Sequence, residues 1–487
     1  MDLRTAHALV RFGMGPTGAE PPPADPTAWL LGQLHQADFS VDFSGSVPPP
    51  STEEGLAALR TDRDARKAAR EADAGMATAQ PVPGPGGRLT NFGPPRPEAG
   101  TQGDPAMAGQ PDPAMAARQV AVAGLARSRS LYREQGLAAV GRAVATRTPF
   151  RERLVWFWTN HFTISLRHGG CAAVAGAFVQ EAIRPHVTGR FEDMVLAVMR
   201  HPAMLIYLDN AQSVGPDSIG GQLSHRGLNE NLARECMELH TVTPASGYTQ
   251  ADVTAFARIL TGWSIELNNE PAGFLFRPRI HEPGEQTVMG RTFPAGEAGG
   301  IEALRFLANH PATHRSLASK LVCHFVADTP PPAAVRHIEG ILRDTGGDLG
   351  AAAAGLVRLD DAWTPGTKIR TPLDLTVASF RALQVPIDPS PPFLAILAGL
   401  GQPLWSAPAP NGWSDVAADW VAPEAMMRRI DWAFAVSGRI GQRDPMTIAD
   451  TSLGPLLRPE TQMAMAHAGS RREAMTLLLT SPEFQRR

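Results

Sequence analysis

Apolar residues return every third or fourth position through most of the chain, the period of helices that each bury one face. Leu3 to Phe12 reads as a first helix, stopped by Gly13-Met14-Gly15-Pro16. Pro26 to His35 reads as a second, with Asp25 as N-cap and Pro26 in the first turn, where a proline loses no hydrogen bond. Ser51 and Glu54 form a capping-box pattern ahead of a charged, solvent-facing helix that runs towards Ala72. Asp112-Pro113 restarts a helix that reaches Thr146, and the repeated His-Pro-Ala at His201 and His310 marks two more helix starts. Strand composition is convincing only over Phe274 to Ile280. The pattern predicts an all-α fold, a single compact multi-helix domain over residues 1–487 with at most a short β-hairpin.

Residues 77–111 break this pattern. They are dense in proline and glycine, which defeats both helix propagation and sheet pairing, so a flexible insertion is expected there. Composition narrows the function classes. With 48 acidic and 45 basic side chains the net charge is −3, so no chain-wide basic field exists to hold nucleic acid. No apolar run is long enough to span a bilayer. The start lacks a secretory h-region, which points to the cytoplasm; a chain shortened at its front would read the same, and would then belong in the periplasm. Cys171, Cys236 and Cys323 stand far apart, without a CxxC pair. Only Lys67, Lys320 and Lys368 are lysines, a bias attributed to codon usage. Walker, GxGxxG, GxSxG and HExxH motifs are missing, so the familiar nucleotide, serine-hydrolase and zincin readings lose their support.

The densest chemical signals fall in residues 149–290, the candidate functional core. On a helix over Asn229–Leu239, Glu230, Asn231, Arg234, Glu235 and Glu238 share one side, and Leu232, Ala233, Cys236 and Met237 the other. The plain reading is an exposed face laced by Glu230–Arg234 and Arg234–Glu238 pairs. The sharper one notes that Glu235 and Glu238 are one turn apart, so their carboxylates can converge on a divalent cation or divide acid and base work, with Asn231 and Arg234 orienting them. His240 would point away from Glu238, at about 200° on a continued helix, unless the helix ends at Thr241–Pro244 and swings it back.

Leu154, Phe157, Trp158, His161 and Ser165 follow helical spacing, which sets His161 on an apolar face. A histidine there is more often a core residue than a ligand, yet it is the best imidazole in the chain for a metal or a proton, with Asn160 as a neighbour. Asp209 ends the apolar run MLIYL, either as an ordinary cap or as a carboxylate delivered to a site. His281 lies in a Pro-Gly turn, read as a pocket rim. The site expected from these residues has Glu235, Glu238 and Asp209 as catalytic groups and His161, Glu235, Glu238 and His240 as metal ligands. Asn160, Asn231, Arg234 and His281 support them.

WFWTNHF at 156–162, HPAMLIYLDN at 201–210, NENLARECMELHT at 229–241, YTQADVTAFARILTGW at 248–263 and HEPGEQTVMG at 281–290 together resemble the bacterial domain-of-unknown-function family numbered 1800. RFGMGPTG at 11–18, KIRTPLDLTVASFRAL at 368–383, PNGWSD at 410–415 and SPEF at 481–484 extend the resemblance over nearly the whole chain. It implies a predominantly helical protein and brings no activity. Such proteins resemble frequent genomic neighbours of a family numbered 1501, similar to phosphatases and sulfatases, which implies a phosphatase/sulfatase-like partner. The chain departs from the family pattern at Thr243-Pro244, where a glycine commonly ends the helix. Two functions follow: a metal-dependent hydrolase or oxidoreductase with a carboxylate/histidine site, or a non-catalytic helical adaptor for that partner.

Overall fold

The computed structural model describes residues 1–18, 20–35, 50–79, 113–224, 227–385, 392–440 and 443–487. The Pro/Gly-rich stretch lies outside them, except for residues 77–79, which close a helix longer than the spacing predicts. That helix, α1, spans Thr52–Ala79 and packs along α2, Pro113–Ala145. The expected caps form: Ser51 Oγ accepts from the Glu54 amide at 3.2 Å. His201 and His310 each accept an amide two residues on through Nδ1, at 3.1 Å, opening helices Pro202–Tyr207 and Pro311–Phe325. An imidazole here does the work usually given to a serine or aspartate.

The β content is two separate antiparallel hairpins. Strand β1, Trp263–Glu266, pairs with β2, Gly273–Phe276, with Trp263 opposite Phe276; β3, Gln286–Val288, pairs with β4, Arg291–Phe293. The strand expected over Phe274–Ile280 is therefore shorter, since Pro278–Ile280 curls into a 3₁₀ turn. The fold is otherwise helical, as the periodicity implies.

Helix α3, Pro149–His161, lies in the middle of the largest apolar cluster. Its apolar residues are enclosed, and so are Glu152, Arg153 and His161. Each of the buried ions is matched. Glu152 receives a two-pronged pair from Arg184 at 2.6 and 2.9 Å, and the Trp156 indole at 3.1 Å. Arg153 reaches Asp374 at 2.8 Å and donates to the Gly13 carbonyl at 2.6 and 2.9 Å, while Arg487 Nε sits 3.1 Å from the same carboxylate. Asp374 is held down to about 2; burial opposes this, and Arg153 and Arg487 beside it prevail. Around α3 the chain widens three times into a π turn, at Ala8–Phe12, Val179–Ile183 and Cys236–His240. The first holds buried Arg11, whose guanidinium binds the carbonyls of Phe325 and Val326, and the second leads directly into Arg184. Such turns rotate side chains out of helical register, and Arg184, just past the second, meets Glu152 of α3.

Removing one partner of a fully enclosed ionic group leaves the other charge unpaired, at a cost of about 3–5 kcal/mol. Asp374→Ala is expected to lose that much in denaturant unfolding, because Arg153 and Arg487 both lose their carboxylate. Glu424→Ala, which breaks the exposed Arg428 pair, should lose less than about 1 kcal/mol. Equal losses for the two would refute the ionic account of the core.

Candidate functional site

Helix α3 runs antiparallel to α4, Pro311–Phe325, because Phe157 meets His324 (5.2 Å between ring centres) while His161 meets Lys320. Lys320 and His324 are one turn apart on α4 and face α3 together. The Lys320 ammonium donates to the Leu239 carbonyl at 2.6 Å and lies 3.3 Å from His161 Nδ1. That contact makes Nδ1 the acceptor, so the proton of His161 sits on Nε2 and is donated to the His240 carbonyl at 3.2 Å. Burial, then the Lys320 charge, push the His161 imidazole well below its ordinary range. Burial likewise brings Lys320 down to about 8, with Asp415 pulling the other way. No ion pair joins Lys320 to a carboxylate among the described residues.

The backbone of 231–243 places the second imidazole. The chain is helical over Asn231–Glu235, then widens into the π turn Cys236–His240. The wider turn and the helix end carry His240 inward, so that its ring stands 5.7 Å from that of His161 and 5.1 Å from that of Phe162. His240 is 1% exposed, and neither ring nitrogen has a hydrogen-bond partner among the described residues. Burial lowers it to about 3. Just beyond, Thr243 has φ 60° and ψ 161°, a conformation proper to glycine, held by hydrogen bonds from its amide to Met237 and to its carbonyl from Ser246. Thr243 is thus a threonine in a strained backbone conformation.

On the other side of His324, Nδ1 and Asp415 Oδ1 are 2.7 Å apart, and Nε2 faces Arg487 at 3.4 Å. Lys368 bonds Asp328 and, at 2.5 Å, the Asp415 carbonyl. His324 is brought down to about 4 by burial, against the opposing pull of Asp415. His324, Asp415, Arg153 and Asp374 form the polar end of a cavity of about 120 Å³ whose walls include Trp156, Phe157, Trp405 and Trp413. An apolar pocket with a few convergent ionisable groups is the usual form of a small-molecule site.

Of the residues expected at the site, His161 and His240 come together, while the two glutamates form a separate patch. Glu235 and Glu238 are partly exposed near Tyr207 and Tyr248, and neither is hydrogen-bonded to a histidine among the described residues. Burial, then Glu238, push Glu235 up. Arg234 pairs with Glu230 at 2.8 Å, and Asn231 is exposed. Asp209, at φ 56°, contacts His168 Nε2 at 3.3 Å on the surface. Asn160 clasps the Trp413 backbone through two 2.8 Å hydrogen bonds and does not touch His161, as adjacent helix residues diverge. His281 bridges the Thr261 carbonyl and the Gly296 amide, each at 2.7 Å. Among the described residues no three His, Cys, Asp or Glu side chains gather as a metal ligand set.

Lys320, His324, Lys368 and Asp415 are absent from the expected set. A signal for two of them was present: in a chain whose basic residues are nearly all arginine, two of the three lysines lie in this cluster. Of the two basic side chains, only lysine can give up its proton near neutrality.

Fold and site together define a helical protein built around an ionised central helix, with a lysine–histidine pair beside an apolar cavity. The chain belongs to the family described as "Protein of unknown function (DUF1800)", whose model matches residues 7–486. No curated protein and no solved structure matches it. No helix among the described residues is long and apolar enough to cross a membrane.

Thr243→Gly relieves a backbone cost of about 1–3 kcal/mol against the extra entropy of an unfolded glycine, about 0.5–1 kcal/mol. A net gain of about 1 kcal/mol is expected in urea unfolding, and a loss would show that the threonine is unstrained. A second outcome concerns acid. His7, His240 and His324 take protons when unfolded near pH 6.5, but when folded only at about 4, 3 and 4. Below about pH 6.5 the unfolded state therefore binds more protons, and stability should fall by up to about 1.4 kcal/mol per pH unit for each group. Unfolding curves that stay level from pH 7 to 5 would contradict this.

Proposed function

We propose that the protein is an enzyme of the acid–base type, with Lys320 as the group that exchanges a proton and the cavity beside His324 as the place where a small, mainly apolar substrate lies. The observation that carries this reading is Lys320 itself: a half-buried ammonium with no carboxylate ion pair among the described residues, donating to one carbonyl and one imidazole. A lysine that only balanced charge would sit against an acid, as Lys368 does against Asp328. A proton-transfer group works best when its pKa lies near the working pH, and about 8 meets that condition. The His324–Asp415 pair fixes the imidazole at the cavity wall, one helical turn from Lys320, and the Asp415 charge acts on the lysine. The reaction class that fits best is hydrolysis of a short apolar ester or amide, in which the neutral amine takes a proton from water.

A second reading rests on His240. An enclosed imidazole whose two nitrogens have no hydrogen-bond partner among the described residues, beside another imidazole, is also what a divalent cation would use; Glu235, Glu238 and Asp209 would join it only through a rearrangement that brings their carboxylates to the imidazoles. Such an ion would have to take His161 Nδ1 from Lys320.

With only three lysines, ¹⁵Nζ-lysine labelling gives a spectrum in which Lys320 is identified by its loss in Lys320→Arg. Its signal is expected to titrate near pH 8. Ester hydrolysis should rise with the same midpoint and fall about 10²–10⁴-fold in Lys320→Met, with Glu235→Gln/Glu238→Gln unaffected. Activity that survives in Lys320→Met but is lost with chelator and in the double glutamine variant would establish the cation instead.

A further inference from the structure

Away from this cavity, α1 carries a graded stripe. Leu56, Leu59, Arg63, Arg66, Lys67 and Arg70 fall within about 100° of one another around the helix. They run from apolar to cationic along one line, and that line borders an open groove of about 1520 Å³. Beside the leucines the groove is lined by Leu166, Ile206, Ile265 and Leu267; Arg129 of α2 joins the arginines, and two carboxylates also line it, Asp62, which accepts from Ser128, and Glu71, which faces Lys67. Arg63 lies against Asp64 at 3.0 Å and Lys67 against Glu71 at 3.9 Å. Arg66, Arg70 and Arg129 are exposed and have no carboxylate partner among the described residues. In a chain of net charge −3 this is a local cationic field set against an apolar trough.

We infer that this groove binds a single-chain anionic amphiphile, a long-chain carboxylate, with its chain on the leucine floor and its head at Arg66, Arg70 and Arg129. The two halves of the stripe select the two halves of such a molecule. A polyanion would use the arginines and leave the leucine and isoleucine floor in water. A bilayer surface could reach the exposed arginines, whereas Leu166, Ile206, Ile265 and Leu267 are half-buried. Guanidinium groups pair with carboxylates in a two-pronged geometry, and every chain methylene removed from water adds to affinity.

The test uses the full chain and calorimetric titration with dodecanoate below its micellar concentration. Saturable 1:1 binding is expected, at least tenfold weaker for hexanoate and undetectable for dodecyltrimethylammonium, which has the same chain and the opposite charge. Arg66→Glu/Arg70→Glu alters exposed residues only, so an unchanged thermal midpoint is expected alongside at least a tenfold loss of dodecanoate affinity. Leu59→Gln should weaken dodecanoate and leave the preference for anions intact. Lys320→Met should bind dodecanoate like the parent, which separates this groove from the proton-transfer site. The inference is overturned if the cationic amphiphile binds as well as the anionic one, if the charge-reversed variant keeps its affinity, or if dodecanoate fails to bind. It is equally overturned if a heparin fragment or phosphatidylglycerol vesicles bind where dodecanoate does not.

Discussion

Ionised side chains on a fully enclosed helix constrain everything around them. Glu152 and Arg153 stand next to each other in the middle of α3, and neither reaches bulk water. An unpaired charge in that position costs several kcal/mol, so each must be met by a partner delivered from elsewhere. Glu152 fixes Arg184 and with it the π turn before it; Arg153 fixes Asp374, the Gly13 carbonyl and the C-terminal Arg487. Segments from both ends of the chain are thereby tied to one helix. The apolar core supplies most of the favourable free energy without direction, and these pairs supply the register.

The same economy explains the site. Once α3 is fixed, its last turn presents His161 to whatever passes, and α4 and the π turn at Cys236–His240 pass on opposite sides. Lysine and imidazole meet because their helices are held by other contacts, mainly aromatic ones: Phe157 with His324 and Phe325, and Trp158 with Phe191. The loop after α3 then serves two spaces. Thr163 and Ile164 line the cavity, and Leu166 and His168 line the groove.

Local signals explain what the sequence reveals. Pro26–His35 matches its expected bounds because Asp25, Pro26 and the apolar period all lie within the helix or beside it, and the two His-Pro-Ala starts cap as expected. The hairpins are harder: Trp263–Glu266 continues directly from a helical pattern, and its strand character comes from pairing with Gly273–Phe276. At the site, His161 is legible as a histidine on an apolar face. Its partners are not, being 79 and 159 residues away. His240 is named, yet its direction is not legible from spacing alone, because angles counted at 3.6 residues per turn do not hold through a π turn. Glu235 and Glu238 are one turn apart as the spacing requires, yet spacing within one helix says nothing of whether an imidazole stands opposite.

The hydrogen bonds around Lys320 also constrain where its proton can go. His161 is closed as an outlet, because its far nitrogen already donates to the His240 carbonyl, which has no proton to pass on. The Leu239 carbonyl is likewise an acceptor only. The arginines nearby hold their protons at any physiological pH. What remains is the third N–H of the ammonium, with the Asp415 charge favouring its protonated form. Asp415 and His324 line the cavity, and Lys320 stands one helical turn from His324, not itself among the lining residues. Excluding water from around Lys320 would raise the cost of the charged amine and lower its pKa further, so more of it would stand in the neutral, proton-accepting form, although as a weaker base.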